Sequence, residues 1–137
     1  MEPMILLRDI VGAARGCILP MAHAVDITAE LLFQQHVALD DLKLCEICAL
    51  VAQRLDNPPK PNSLAKYVER WANRCWYRIR KDKRVVELVG REISDIDGPC
   101  MILVYLATYA HFDKPYFVVL HECPRAFTGQ PFHDPVH

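Results

Sequence analysis

The sequence predicts a mainly α-helical fold, a compact single domain formed by a bundle of about five or six helices. Of the 137 residues, 52% are hydrophobic, which is enough for one packed core. The apolar residues recur mostly at helical spacing, and ten prolines divide the chain into short elements. We therefore expect residues 1–137 to form one domain, with residues 129–137 as a proline-rich C-terminal tail.

Three helices are predicted before residue 60. The first runs from about Pro3 to Ala14 with its proline in the first turn, where a missing N–H is harmless, and Gly16 ends it. Asp26 is the expected N-cap of a second helix that continues to about Val37. Asp40 is the expected N-cap of a third helix. Its apolar residues recur at i, i+4, i+7 and i+11 as Leu44, Cys48, Val51 and Leu55.

The fourth predicted helix covers residues 62–81. The proline run at residues 57–61 stops the preceding helix, and Asn62 or Ser63 then supplies the N-cap. A stripe of apolar side chains at helical spacing predicts the buried side of this helix. The stripe consists of Leu64, Val68, Trp71, Cys75 and Ile79.

The charge of the chain is concentrated in this fourth helix. Residues 60–84 contain nine Lys or Arg and two acidic residues, a net +7, whereas residues 1–59 and 85–137 each carry −4. Because like charges at i, i+4 cost about 0.2–0.5 kcal/mol per pair, a row of cations away from the apolar stripe needs a negative partner. That predicted row is Lys66, Arg70, Arg74, Arg78 and Lys81.

Two kinds of counter-charge are compatible with the row. Arginine binds carboxylates and phosphates through two parallel hydrogen bonds, and Tyr77 and Trp76 are rings that would stack bases beside it. The alternative is internal neutralisation by the acidic flanks. Its candidates are Asp40, Asp41, Asp95 and Asp97.

The last third of the sequence supports two interpretations. Residues 83–93 form a short predicted helix, followed by a turn at residues 94–98. Residues 100–112 are long enough for a buried helix that starts at Pro99, although their β-branched and aromatic residues also suit a strand. Tyr116 to His121 is predicted to be a strand. A small C-terminal β-hairpin, and hence an α+β fold, is therefore the alternative to an all-helical domain.

The cysteines offer a metal site as a second hypothesis. Cys45 and Cys48 have the spacing of a zinc ligand pair, and His121 and Cys123 could complete the set, with His111 or His133 in reserve. Both cysteines of the pair lie inside an apolar helical pattern, which favours core thiols over ligands. The sequence contains no signal peptide pattern and no membrane-spanning run, so we expect a cytoplasmic protein with reduced cysteines.

Catalysis is the weakest hypothesis. A nucleophile could be assembled from Cys123 or Cys17 with a histidine, but the chain contains no phosphate-binding glycine loop and no hydrolase motif. We therefore predict a binding protein of the inhibitor or adaptor type that docks through residues 62–81 onto an acidic protein or nucleoprotein surface. The alternatives are a regulator that contacts the phosphate backbone of nucleic acid and a small zinc-stabilised domain. The predicted partner-binding residues are Lys66, Arg70, Arg74, Tyr77, Arg78 and Lys81.

Overall fold

A computed structural model of the chain describes residues 1–13, 16–96 and 98–135. Within these ranges the regular structure is helical throughout, which confirms the mainly α prediction, with seven α-helices instead of five or six. The helices are α1 (Pro3–Val11), α2 (Leu19–Ala29), α3 (Leu44–Arg54), α4 (Pro61–Lys81), α5 (Val85–Val89), α6 (Pro99–Phe112) and α7 (Tyr116–Glu122). A π-helical turn (Glu30–Gln34) and two 3-10 turns (Leu39–Asp41 and Pro124–Phe127) complete the regular structure.

The seven helices share one hydrophobic core. α2 packs against α1, α3, α4 and α6, and α6 packs against α1, α2, α4, α5 and α7, so these two helices are the centre of the bundle. Two buried hydroxyls, of Thr28 and Thr108, donate to the carbonyl four residues earlier at 2.7 Å, which leaves neither without a partner. No described helix combines the length and apolar character that crossing a bilayer requires.

Prolines, not polar side chains, start most of the long helices. None of the four helices α1, α2, α4 and α6 has a side-chain cap, and each has a proline in its first turn. The predicted N-caps are therefore wrong. Asp26 lies inside α2, Asp40 lies in a 3-10 turn before α3, and Asn62 and Ser63 follow Pro61 within α4.

α1 is shorter than the sequence predicts. It ends at Val11 because Gly12 adopts φ 64° and its N–H donates to the carbonyl of Arg8 at 2.8 Å. The prediction that Gly16 ends this helix is thus wrong, and Ala14 lies outside the described residues.

A π-helical turn extends α2. The N–H of Gln35 donates to the carbonyl of Glu30 at 2.9 Å, five residues earlier, where an α-helix would use four. Phe33 in this turn is buried, and its ring stacks on His111 at 4.8 Å between centroids. The π-helical turn therefore joins α2 to the end of α6.

The C-terminal part is helical, so the β-hairpin alternative is wrong. Residues 100–112 belong to α6, as the preferred interpretation predicts, and the predicted strand Tyr116 to His121 belongs to α7. Pro115 precedes α7, and its carbonyl accepts the N–H of Val118 and of Val119 at 3.1 Å. Tyr116 and Val119 are buried at i, i+3, which places both on the core side of one helix.

Candidate functional site

The predicted basic helix is confirmed as α4, a helix of 21 residues with two different sides. All five residues of its predicted apolar stripe are buried, together with Ala72 and Trp76. This burial fixes the rotation of α4, so that the opposite side faces solvent. The cationic row, defined as Lys66, Arg70, Arg74, Arg78 and Lys81, lies there, and every member is exposed except the half-buried Arg78.

One counter-charge of the row lies at the end of α4. Arg78 lies 3.6 Å from Asp82, one turn further along. Lys66, Arg70 and Lys81 form no ion pair with any residue of the described ranges. At least three cations of the row are therefore available to a partner.

Three of the four acidic residues named as internal counter-charges are described, and none of these three is paired with the row. Asp40, Asp41 and Asp95 form no ion pair in the part of the chain that the structure describes, and Asp97 lies outside that part. The carboxylate of Asp95 accepts the N–H of Ile96 at 2.8 Å, a local turn interaction.

Two arginines outside the row collect acidic side chains of the flanks. Arg54 donates to Asp26 at 2.7 Å and to Glu30 at 2.9 Å, which ties α3 to α2. Arg84 donates to Glu87 at 2.6 Å and to Asp9 at 2.7 Å, which ties α5 to α1. These hydrogen bonds raise the pKa of both guanidinium groups. Arg84 thus stabilises the fold through its ion pairs, although it lies in the basic segment of residues 60–84.

The aromatic residues of α4 differ in their access to solvent. Trp76 is 7% exposed, so the prediction that it could stack bases is wrong. The guanidinium of Arg74 lies 4.4 Å from the ring centroid of Trp71, a cation–π contact. Tyr77 is 61% exposed, with the Nζ of Lys81 5.9 Å from its ring centroid.

Two open clefts border the row, and Arg74 lines both. Cleft A has a volume of about 280 Å³ and is lined by Gly16, Tyr67, Arg70, Trp71 and Arg74. Cleft B has a volume of about 390 Å³ and is lined by Val11, Asn73, Arg74, Tyr77 and Arg78. Gly16 and Val11 come from α1 and the segment after it, so the clefts are formed by α4 together with the N-terminal part of the chain. The sequence gives no signal for these contributions, because they depend on tertiary packing.

One residue of each cleft carries a polar atom that is buried beneath the cleft surface. The hydroxyl of Tyr67 and the Nε of Arg78 are both inaccessible to solvent, and the Nε of Arg78 has no hydrogen-bond partner among the described residues. Burial raises the pKa of the Tyr67 hydroxyl, and a side-chain hydrogen bond with Trp71 opposes that rise. These two atoms therefore do not face the open parts of clefts A and B.

The zinc candidates do not assemble into a metal site. Across residues 1–13, 16–96 and 98–135, no group of three or more His, Cys, Asp or Glu side chains could hold a metal ion. Cys45 is exposed and Cys48 is buried, and all six cysteines are free thiols. Burial, with smaller contributions from Cys45, Glu69 and Cys100, raises the pKa of Cys48 to about 11, which disfavours the thiolate that zinc would need.

The candidate nucleophiles lie in two different places. Cys123 lines a third cleft of about 470 Å³ with Glu122 and His133, whereas Cys17 is exposed. No hydrogen bond joins Cys123 to a described histidine. The pairing of nucleophile and base that this chemistry requires is therefore not formed by the described residues.

Comparison with protein-family models, curated proteins and solved structures gave no match to this chain. The class of the molecule therefore follows from its own fold and surface. It is an all-α domain with one solvent-facing cationic helix side.

Proposed function

We propose that this protein is a binding protein of the inhibitor or adaptor type that docks through the cationic row of α4 onto an acidic protein or nucleoprotein surface. The observation that supports this most directly is the distribution of ion pairs. The described flanks give several carboxylates to Arg54 and Arg84, while Lys66, Arg70 and Lys81 have none. A row of like charge is unfavourable for the isolated helix, so it indicates a partner that supplies the negative charge.

The composition of the surface favours a protein partner. Arg, Tyr and Trp are the residues that most often dominate the binding energy of protein interfaces; all three types line cleft A, and Arg and Tyr line cleft B. The proposal includes a cytoplasmic location, where the six thiols stay reduced.

The alternative partner is the phosphate backbone of nucleic acid. Three of the five cations in the row are arginines, and the guanidinium group binds phosphate as well as it binds carboxylate. The row offers fewer exposed rings for bases than the sequence predicts, because Trp76 is buried. This alternative therefore relies mainly on backbone contacts, with Tyr77 as an exposed ring beside them.

The test is direct binding to defined anionic probes. A labelled acidic polypeptide, a labelled DNA duplex and a labelled single strand are titrated with the protein over a series of salt concentrations by fluorescence anisotropy. We expect the acidic polypeptide to bind, and Arg70→Glu with Arg74→Glu to weaken binding about a hundredfold, since two charge-assisted contacts are lost.

The matched control reverses the same number of charges elsewhere in the basic block. Arg80 lies two residues from Arg78, about 200° around the helix, and lines a separate cleft with Lys83. Arg80→Glu with Lys83→Glu should leave most of the affinity. Equal losses in the two double variants, at unchanged helical circular dichroism, would contradict docking through the row. Binding to duplex alone, with a steep loss as salt rises, would favour the nucleic-acid alternative.

A further inference from the structure

We infer that the partner presents an acidic α-helix to the cationic row, with carboxylates at i, i+4 and i+8 that reach Arg70, Arg74 and Arg78 beside clefts A and B. This inference rests on the docking function proposed above and specifies what the partner surface is. It follows from the geometry of the row, the size and chemistry of the clefts, and the surroundings of the aromatic rings.

The row has the geometry of a helix ridge. Arg70, Arg74 and Arg78 are spaced by four residues, so each step advances about 6 Å along the axis of α4. Rows of this kind are inclined by about 26° to the helix axis, and two of them align when the helices cross at about −50°. A partner helix with carboxylates at i, i+4 and i+8 repeats the same step, so one carboxylate can reach each arginine in turn.

The clefts have the size of side chains. Pockets for small molecules usually measure about 300–1,000 Å³, and cleft A, at about 280 Å³, lies below that range while cleft B, at about 390 Å³, lies near its lower end. Cleft A is therefore too small for most small-molecule ligands, and either cleft has room for a side chain inserted from a partner.

The cleft walls match the two parts of a glutamate side chain. The partly exposed ring of Tyr67 in cleft A and the exposed ring of Tyr77 in cleft B are apolar surfaces for the methylene groups. The guanidinium groups of Arg70 and Arg78 are donors for the carboxylate.

The surroundings of the row favour a protein helix over nucleic acid. The guanidinium of Arg74 lies over the ring of Trp71, and Lys81 lies near the ring of Tyr77. The ring of Trp71 is thus covered and that of Trp76 is buried, so Tyr77 is left as an exposed ring, whereas the binding of single strands usually uses several stacked bases. Glu69, the neighbour of Arg70 on α4, has an exposed carboxylate that would repel a phosphate chain. A partner helix can place a neutral or basic residue beside this carboxylate.

The test uses three labelled peptides of equal length with the same number of glutamates and the same net charge. In the first, a helical peptide, glutamates occupy i, i+4 and i+8. In the second, also helical, the same glutamates are distributed around the helix, and in the third a central proline prevents the helix from forming. A DNA duplex is the fourth probe, and dissociation constants are measured by fluorescence anisotropy at one low salt concentration.

We expect the first peptide to bind about tenfold more tightly than the other two, because only its carboxylates align with the row. Arg74→Gln, which alters both clefts, should remove this preference, whereas the control Arg80→Gln should retain it. Arg70→Gln is a second variant that tests cleft A alone, should Arg74→Gln fail to fold.

The remaining outcomes show whether the helical partner, the proposed docking function or both are wrong. Equal binding of the three peptides would overturn the helical partner while supporting docking to acidic protein. Tighter binding of the duplex than of every peptide would overturn the helical partner in favour of nucleic acid. Absence of binding to all four probes would overturn both proposals.

Discussion

α4 and α6 are the two longest α-helices of the described chain, and both begin with a proline in the first turn. They differ in what surrounds them. α6 buries eight consecutive or nearly consecutive residues between Ile102 and Ala110, whereas α4 buries one side and leaves the cationic row in solvent. The comparison indicates that α6 supplies packing and that α4 supplies both packing and an exposed cationic surface, the surface proposed above for binding. Substitutions can test this division of roles.

The largest effect is expected in the centre of α6. Leu103 is fully buried, so Leu103→Ala removes apolar contacts and leaves a cavity that should lower the free energy of unfolding by about 2–5 kcal/mol. Arg70→Ala, on the exposed side of α4, should change it by less than about 0.5 kcal/mol. Urea denaturation followed by tryptophan fluorescence measures both. Similar losses in the two variants would contradict the division of roles.

A pH-dependent effect of intermediate size is expected on the buried side of α4. Burial raises the pKa of Cys75 from 9.0 to about 12. The unfolded thiol therefore loses its proton at a lower pH than the folded one. Stability should be complete below pH 9 and fall as the pH rises toward 12, by up to about 1.4 kcal/mol per pH unit for this thiol.

The measurement compares denaturation curves of the wild type, Cys75→Ala and Cys45→Ala between pH 8 and about 11. Cys75→Ala should flatten the alkaline fall in stability, and Cys45→Ala, which alters an exposed thiol, should leave it as in the wild type. Parallel curves for all three proteins would show that Cys75 is accessible, contrary to its place in the core.

The smallest effect should be a gain in stability. Arg70→Glu replaces two repulsive i, i+4 pairs, with Lys66 and with Arg74, by attractive ones, which should raise the free energy of unfolding by about 0.8–2 kcal/mol. The gain should be largest at low salt and vanish at high salt. Thermal melting at two salt concentrations detects it. An unchanged melting temperature at low salt would indicate that the row is already neutralised within the chain.

The contrast between α4 and α6 also explains what the sequence could predict. α4 has water on one side, so its apolar stripe is periodic and both its bounds and its buried side are predictable. α6 is apolar on nearly all sides, so its sequence has no hydrophobic periodicity. Its length is then the one feature that favours a helix over a strand. The sequence predicts a strand where α7 forms, because aromatic and β-branched residues favour strands locally. In the structure, the packing of Tyr116 and Val119 against the core favours a helix.

The candidate site was predictable only in part. The row follows from helical spacing on one element, and its position opposite the core follows from the stripe. The formation of clefts A and B depends on long-range contacts. So does the pairing of Arg84 with Asp9, which leaves this arginine unavailable to a partner. Arg84 reaches Asp9 over 75 positions of sequence, and no local pattern encodes that pairing.

The π-helical turn at Glu30–Gln34 places a constraint on chain length rather than on residue type. The wider turn contains one additional residue. The residues that follow it are therefore rotated by about 100° about the helix axis, compared with a continuous α-helix. Loss of a single residue here would restore regular hydrogen bonding and at the same time turn the helix end that carries Phe33 away from His111. Evolution of this segment should therefore tolerate exchanges of side chains more readily than insertions or deletions.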